Sequence, residues 1–271
     1  GASYTGAGVI DGDAVTLSGT GAYDNKNVGT GKTVSVSGIA IGGATNGAAT
    51  VYGYQLASTA ASANIGEITA ASLTGSITAA NKVYDTTTAA TISGRNLSGV
   101  LGSDVVSYTG GTATFGDKNA ALGKTVTATG LGLTGTDAGN YTVNTTAIAL
   151  ADITQASLTG NVTAANKVYD TTTAATISGR LLSGVLGSDA VTYTGGTATF
   201  DTKNAGTGKT VTATGLGLTG TDAGNYTVNT TATALADITQ ASLTGSITAA
   251  NKVYDATTAA TIAGHSLTGI L

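Results

Sequence analysis

The chain contains no cysteine, proline, methionine or tryptophan, and only two phenylalanines and one histidine in 271 residues. Each absence removes a class of protein. Without Cys there is no disulfide scaffold, thiolate metal site or thiol nucleophile. A lone histidine, His265, gives a His-based triad or a His-rich metal centre almost nothing to work with. Eleven basic against fifteen acidic residues give a formal charge of −4, and Arg95 and Arg180 are the only arginines. That balance argues against nucleic acid and anionic membrane as partners. No apolar run approaches the ~18 residues of a bilayer span, so no membrane insertion is expected. No basic start followed by an apolar stretch marks a signal peptide. The lack of Pro excludes a mucin-like stalk.

What is present points to strands. Gly numbers 41, hydrophobic residues make up 41% and charged residues 10%. Disordered chains are rich in Pro and charge and poor in β-branched residues. This one is rich in Val, Ile and Thr, which favour strands.

The sequence repeats. Residues 71–155 and 156–240 align without a gap and match at 75 of 85 positions. Residues 241–271 begin a further copy. Residues 1–70 are a diverged copy lacking its first third: Gly1–Gly6 aligns with Gly94–Gly99, and Asn27-Val-Gly-Thr-Gly-Lys-Thr-Val with Asn204-Ala-Gly-Thr-Gly-Lys-Thr-Val. The chain therefore reads as a window on a longer array. A period of 85 is long for a solenoid, whose units of roughly 20–50 residues cannot bury a face alone. A unit this size can bury roughly 60–65% of its chain surface and fold by itself.

Within one unit, Lys124–Leu131 alternates strictly, Val126 and Ala128 on one side and Thr125, Thr127 and Thr129 on the other, the pattern of a half-buried strand. Lys32–Gly38, Val105–Phe115 (interrupted at Gly110-Gly111), Leu73–Ala79, Ala89–Ile92 and Tyr141–Ile153 supply further strands, and Gly135–Asn140 is a turn. In the last copy, Leu243–Ala249 and Ala259–Ile262 are the expected strands. About six short strands separated by turns predict a small antiparallel β-sandwich, Ig-like or a related compact β fold. The linkerless passage Asp152–Gly160 predicts fixed neighbours and a stiff rod.

The segments NKVYDTTTAATISG, LSGVLGSD, TGTDAGNYT and ALADIT, in this order, resemble the YDG-type repeats of large bacterial surface exoproteins, among them filamentous-haemagglutinin-like adhesins. The resemblance covers 71–240, most of 241–271 and, more faintly, 1–70. The family's Tyr-Asp-Gly is Tyr-Asp-Thr at Thr86 and Thr171 and Tyr-Asp-Ala at Ala256, and a Pro common after the ADIT-like strand is Gln155 and Gln240. The resemblance implies secretion, display on the bacterial cell surface, and a spacer, adhesive or biofilm-matrix role without catalysis.

The candidate sites are weighed against structural readings. The pairs Tyr84-Asp85, Tyr169-Asp170 and Tyr254-Asp255 suit a Tyr at the core edge and an Asp that accepts turn N–H groups. Asn140-Tyr141 and Asn225-Tyr226 suit an Asx-type turn with a Tyr anchor. Asp137 and Asp222 are the weak candidates for Ca²⁺, assisted by Asp24, Asp117 or Asp201, but they bring few of the hard oxygen ligands that Ca²⁺ requires. Gly123-Lys-Thr125, Gly208-Lys-Thr210 and Gly31-Lys-Thr33 echo a phosphate loop but open a strand. The threonine rows resemble ice-binding faces, and a solvated strand face accounts for them. Asn-x-Ser/Thr triplets at Asn96, Asn140, Asn144, Asn161, Asn225 and Asn229 are expected by chance in an Asn/Thr-rich chain. No cofactor, metal or catalytic residue is assigned. The expected function is a structural stalk of a secreted surface adhesin or matrix filament, with a carbohydrate- or protein-binding adhesive module as the rival. The expected partners are further copies end to end, by continuous chain or strand donation, and host or matrix glycans or proteins. Residues 242–263 would supply what 1–70 lacks.

Overall fold

The computed structural model describes residues 9, 10 and 12–271. The Gly1–Gly6 match lies outside them. The described residues form strands joined by turns, with two short 3-10 turns at Ala138–Asn140 and Ala223–Asn225.

The first repeat contributes β1 (Ala14–Tyr23), β2 (Gly29–Asn46), β3 (Ala49–Thr50) and β4 (Ala61–Ile68). The second has β5 (Ala71–Ala79), β6 (Lys82–Val83), β7 (Ala89–Ala90), β8 (Ile92–Ser98), β9 (Ser107–Phe115), β10 (Ala121–Thr134), β11 (Tyr141–Val143) and β12 (Thr146–Thr154). The third repeats them as β13 (Ala156–Ala164), β14 (Lys167–Val168), β15 (Ala174–Ala175), β16 (Ile177–Ser183), β17 (Thr192–Phe200), β18 (Gly206–Thr219), β19 (Tyr226–Val228) and β20 (Thr231–Thr239). Last come β21 (Thr244–Ala249) and β22 (Ile262–Thr268).

The chain folds as two compact units. One holds Gly1–Thr78, Thr91–Ala113 and Thr127–Ala149, the other Ala79–Ala90, Thr114–Val126 and Leu150–Leu271. The division runs through the middle repeat, so each unit contains one whole joint between successive repeats.

In the third repeat a three-stranded sheet, β16-β13-β19, faces a five-stranded one, β14-β20-β18-β17-β15. Val162 on one sheet meets Tyr193, Phe200, Val211, Leu216 and Ile238 on the other. Strand alternation decides the inside. Val211 and Ala213 are 1% and 0% exposed, while Thr210, Thr212 and Thr214 face solvent. Burying each large aliphatic chain contributes about 1.5–3 kcal/mol. Glycine lets the layers close: a Cβ on Gly160 would stand 2.3 Å from Cζ of Tyr193. The second repeat has the same strand orders, β8-β5-β11 and β6-β12-β10-β9-β7.

The β-sandwich expectation holds, with one departure. The sheets are mixed: β13 pairs parallel with β19, and β14 with β20. Tyr141–Ile153 reads as one strand but is two, β11 and β12, in different sheets. The next copy shows why the chain can switch. Asn229 Oδ1 accepts the N–H of Gly160 at 2.8 Å, and Nδ2 donates to its carbonyl at 2.9 Å. The side chain thus satisfies β13 where the backbone departs.

Among the described residues, the first repeat has only the sheet of β1, β2, β3 and β4. Val34 and Val36, the counterparts of Val211 and Ala213, are half-buried. Strands β21 and β22 pair in the register of β13 and β16, including the bulge before the last pair. The strand expected at Ala259–Ile262 instead runs from Ile262 to Thr268. Its counterpart β15 pairs with β17, and among the described residues none pairs in that way with 259–260.

Candidate functional site

Each Tyr-Asp pair opens the same turn. Asp85 Oδ1 accepts from the N–H and hydroxyl of Thr87, both at 2.9 Å, and from Lys82 Nζ at 2.7 Å. Asp170 repeats this with Thr172 and Lys167, and Asp255 with Thr257 and Lys252. Lys167 first, then the Thr172 N–H, lower the Asp170 carboxyl to about 2. Between these residues Thr86, Thr171 and Ala256 lie at φ +69°, +70° and +59°. That is left-handed backbone, which favours glycine and strains a β-branched residue. The turn geometry survives the loss of Tyr-Asp-Gly, under strain.

The three tyrosines differ in what covers them. Tyr84 is 2% exposed, Tyr169 is half-buried and Tyr254 is 90% exposed. Tyr84 is covered by the following repeat. Its hydroxyl donates to Asp189 Oδ2 at 2.7 Å, and its ring meets that of Tyr226 edge-on at 5.4 Å. Tyr226 donates to the same oxygen at 2.7 Å and accepts the Leu186 N–H at 3.1 Å. Lys118 Nζ reaches Asp189 Oδ1 at 3.1 Å. Beside them the Ala120 N–H donates to Asn225 Oδ1 at 2.8 Å, and Asn225 Nδ2 to Asn119 Oδ1 at 3.3 Å. Gln155 donates to the Gly224 and Tyr226 carbonyls at 2.9 and 3.1 Å, a role the family's Pro has no donor to fill.

The joint between the first and second repeats reproduces the lysine, asparagine, aspartate and second-tyrosine part of this set, with Ala70 at the position of Gln155 and no counterpart of Tyr84. Lys26 pairs with Asp104, and with Asp137 at 3.4 Å. The Val28 N–H donates to Asn140 Oδ1 at 2.9 Å, Asn140 Nδ2 to Asn27 Oδ1 at 3.3 Å, and Tyr141 to Asp104 at 2.8 Å.

Both joints are electrostatically matched. The Tyr226 hydroxyl first, then Tyr84 and Lys118, hold Asp189 below the usual carboxylate range. Lys26, then Tyr141, do the same for Asp104. The Tyr84 side chain and then Asp189 hold Lys118 well above the ordinary lysine range. Burial, then the bond to Asp189, pushes Tyr226 up to about 12.

The Ca²⁺ candidates fall at these joints. Asp137 accepts the Val105 N–H at 2.9 Å and faces Lys26, and Asp222 accepts the Ala190 N–H at 2.9 Å with Lys118 at 3.9 Å. In each case an ammonium stands between two carboxylates, where a cation would bind. The other acidic turns are likewise engaged: Asp117 with Lys124 at 2.7 Å, Asp201 with Lys209 at 2.9 Å, and Asp24 with Lys32 at 3.3 Å. The Gly-Lys-Thr segments lie in strands, with Gly31, Gly123 and Gly208 at φ near +60° and the Gly208 N–H on Asp237. Asn225 is 5% exposed and engaged through both ends of its amide. His265 is exposed.

Two features, one of the joint and one of the sheet switch, escape sequence reading. Lys118-Asn119 and Asp189 carry no local mark of a contact between repeats, although Lys-Asn recurs at 26–27, 118–119 and 203–204, and Asp recurs at 104 and 189. Asn144 and Asn229 registered only as chance glycosylation triplets.

The geometry defines a class: a tandem all-β repeat protein whose units interlock through a Lys-Asn edge on one repeat and an Asp/Asn-Tyr face on the next. The sequence model of the YDG domain matches residues 1–61, 69–148 and 154–234. The chain belongs to the YDG-domain family. No curated protein and no solved structure matches the chain.

Proposed function

We propose that the chain is a structural segment of a bacterial surface stalk or matrix fibre, displayed outside the cell, and not an enzyme. One observation carries this reading: both joints between successive repeats are built from the same residues in the same roles, Lys118, Asn119, Asp189, Asn225 and Tyr226 in one and Lys26, Asn27, Asp104, Asn140 and Tyr141 in the other. A joint reproduced at each repeat gives each addition the same geometry, which is what a spacer needs. The most prominent charged groups are committed to these contacts and to turns, so they are not poised for chemistry. Small-angle scattering on proteins of two, three and four covalent repeats tests the reading. The maximum dimension should grow by one constant step per repeat. A dimension that stops growing as repeats are added would show collapse and overturn the stalk. Protease shaving of intact cells that removes the protein supports surface display; full protection argues against it.

A further inference from the structure

We propose that each complete YDG repeat is a load-bearing clamp that resists tension applied through the chain at its two ends. The observation behind it is how the first and last segments of a repeat lie together. In the third repeat, residues 155–169 enter the fold and 224–239 leave it, side by side and in the same direction. Strand β13 pairs parallel with β19, Ala156 opposite Tyr226 and Leu158 opposite Val228. Strand β14 pairs parallel with β20, Lys167 opposite Ile238. Side chains carry the pairing across the sheet switch: Asn229 holds the N–H and the carbonyl of Gly160, and Asn166 Oδ1 accepts the Asp237 N–H at 2.7 Å. Gln155 closes one end on the Gly224 and Tyr226 carbonyls, and the Tyr169 N–H closes the other on the Thr239 carbonyl at 2.8 Å. At each of these bonds the partner lies 69 to 71 residues further on. The second repeat has the same pairs: β5 with β11, β6 with β12, Asn144 on Gly75, Asn81 on Asp152, and the Tyr84 N–H on the Thr154 carbonyl. Both repeats are entered and left by neighbouring chain, so tension passes through these two segments.

Tension draws the entering segment back toward the preceding repeat and the leaving segment on toward the next. Because the two are parallel, that motion slides one along the other and loads the hydrogen bonds between them together. Between antiparallel segments the same tension would peel the bonds one at a time. Sliding also meets a steric stop. A shift of one residue turns Leu158 and Val162 out of the core. A shift of two restores the faces but carries Val162 to the seat of Gly160, where a Cβ would stand 2.3 Å from Cζ of Tyr193. Tyr193 is itself fixed, its hydroxyl donating to the carbonyl of Asn229 in the leaving segment at 2.9 Å. The two segments therefore part only by breaking their bonds and displacing the ring in one step. Forced unfolding is governed by the unfolding rate, and this arrangement places those bonds in its barrier.

The inference deepens the stalk reading, on which it rests, by giving the stalk a load to carry. Pulling single molecules of the full chain at constant force tests it. Tethered by its two ends, the chain should show two slow unfolding events, each lengthening it by about 250 Å as one repeat extends. The chain has no Cys, so Thr192→Cys and Thr219→Cys supply a second pair of attachment points. These residues face each other at the open end of the antiparallel β17–β18 pair, where load peels the strands apart pair by pair. At equal force, the third repeat should unfold at least about tenfold more slowly through the chain ends than through this pair. Asn166→Ala removes the acceptor of the Asp237 N–H at an exposed site. It should speed one end-loaded event about fivefold, with the second repeat as the internal reference, and leave the rate through 192 and 219 unchanged. Equal rates in the two directions would overturn the clamp. So would an Asn166→Ala effect that is equal in both directions or absent from the end-loaded pull. The scattering series on covalent repeats reads length without load, so the two readings fail separately.

Discussion

Tyr84 donates its hydroxyl hydrogen bond to Asp189, a residue of the next repeat 105 positions further on, at 2.7 Å. Tyr226 donates to the same carboxylate oxygen, and Lys118 to the other. One carboxylate, 6% exposed, thereby ties together two repeats. Asp189→Ala should leave two tyrosine hydroxyls without their acceptor and cost about 2 kcal/mol. Hydrogen exchange at the Leu186 and Ala120 N–H groups should accelerate, while exchange within β18 stays slow. Unchanged exchange at the joint would show that the carboxylate does not hold it.

Thr171 is a β-branched residue at φ +70°. Thr171→Gly removes strain of about 1–2 kcal/mol. It also frees the unfolded chain, which offsets about 0.4–1 kcal/mol. A net gain of about 0.5–1 kcal/mol should follow, read as a higher Tm. A lower Tm would mean that the left-handed turn is not strained.

Gly160 lies under Tyr193, whose hydroxyl is anchored on the Asn229 carbonyl at 2.9 Å. The ring has no room to retreat from a methyl group. Gly160→Ala should cost about 3 kcal/mol, measured by chemical denaturation. A loss well under this would show that the two sheets can separate locally.

Stability should fall at both ends of the pH scale. Asp170 titrates at about 2 in the folded chain, and an unfolded aspartate near ~4. The unfolded state binds more protons between these values. The contribution of the turn is therefore present above pH ~4 and lost as the pH falls toward about 2. Tyr226 is raised to about 12 from an unfolded value near ~10, so its contribution is present below pH ~10 and lost as the pH rises toward about 12. Tm measured against pH should show both falls, and Tyr226→Phe should make the alkaline one shallower. An unaltered alkaline limb in that variant would count against the assignment.

Lys26 and Lys118 stand where a cation would sit between the paired carboxylates. Melting with excess Ca²⁺ and with a chelator should therefore give the same Tm. A Ca²⁺-dependent rise would restore Asp137 and Asp222 as ligands.

The repeat, the all-β class and the sides of the long strands were legible in the sequence because they are local. Val126 and Ala128 alternate with Thr125, Thr127 and Thr129, and a period of two needs no knowledge of the partner strand. The Tyr-Asp turn was legible for the same reason, since its acceptor and donors lie within five residues. The sheet switch at Asn144 was not, because unbroken β-forming sequence carries no mark of which sheet receives it. The joint was least legible of all. Identical Tyr-Asp sequences give a buried Tyr84, a half-buried Tyr169 and an exposed Tyr254. Side-chain chemistry is set by sequence, but burial is a property of what packs against it. Only the tertiary structure brings Asp189, Asn225 and Tyr226 onto the Lys118-Asn119 edge and makes a turn residue into part of a joint.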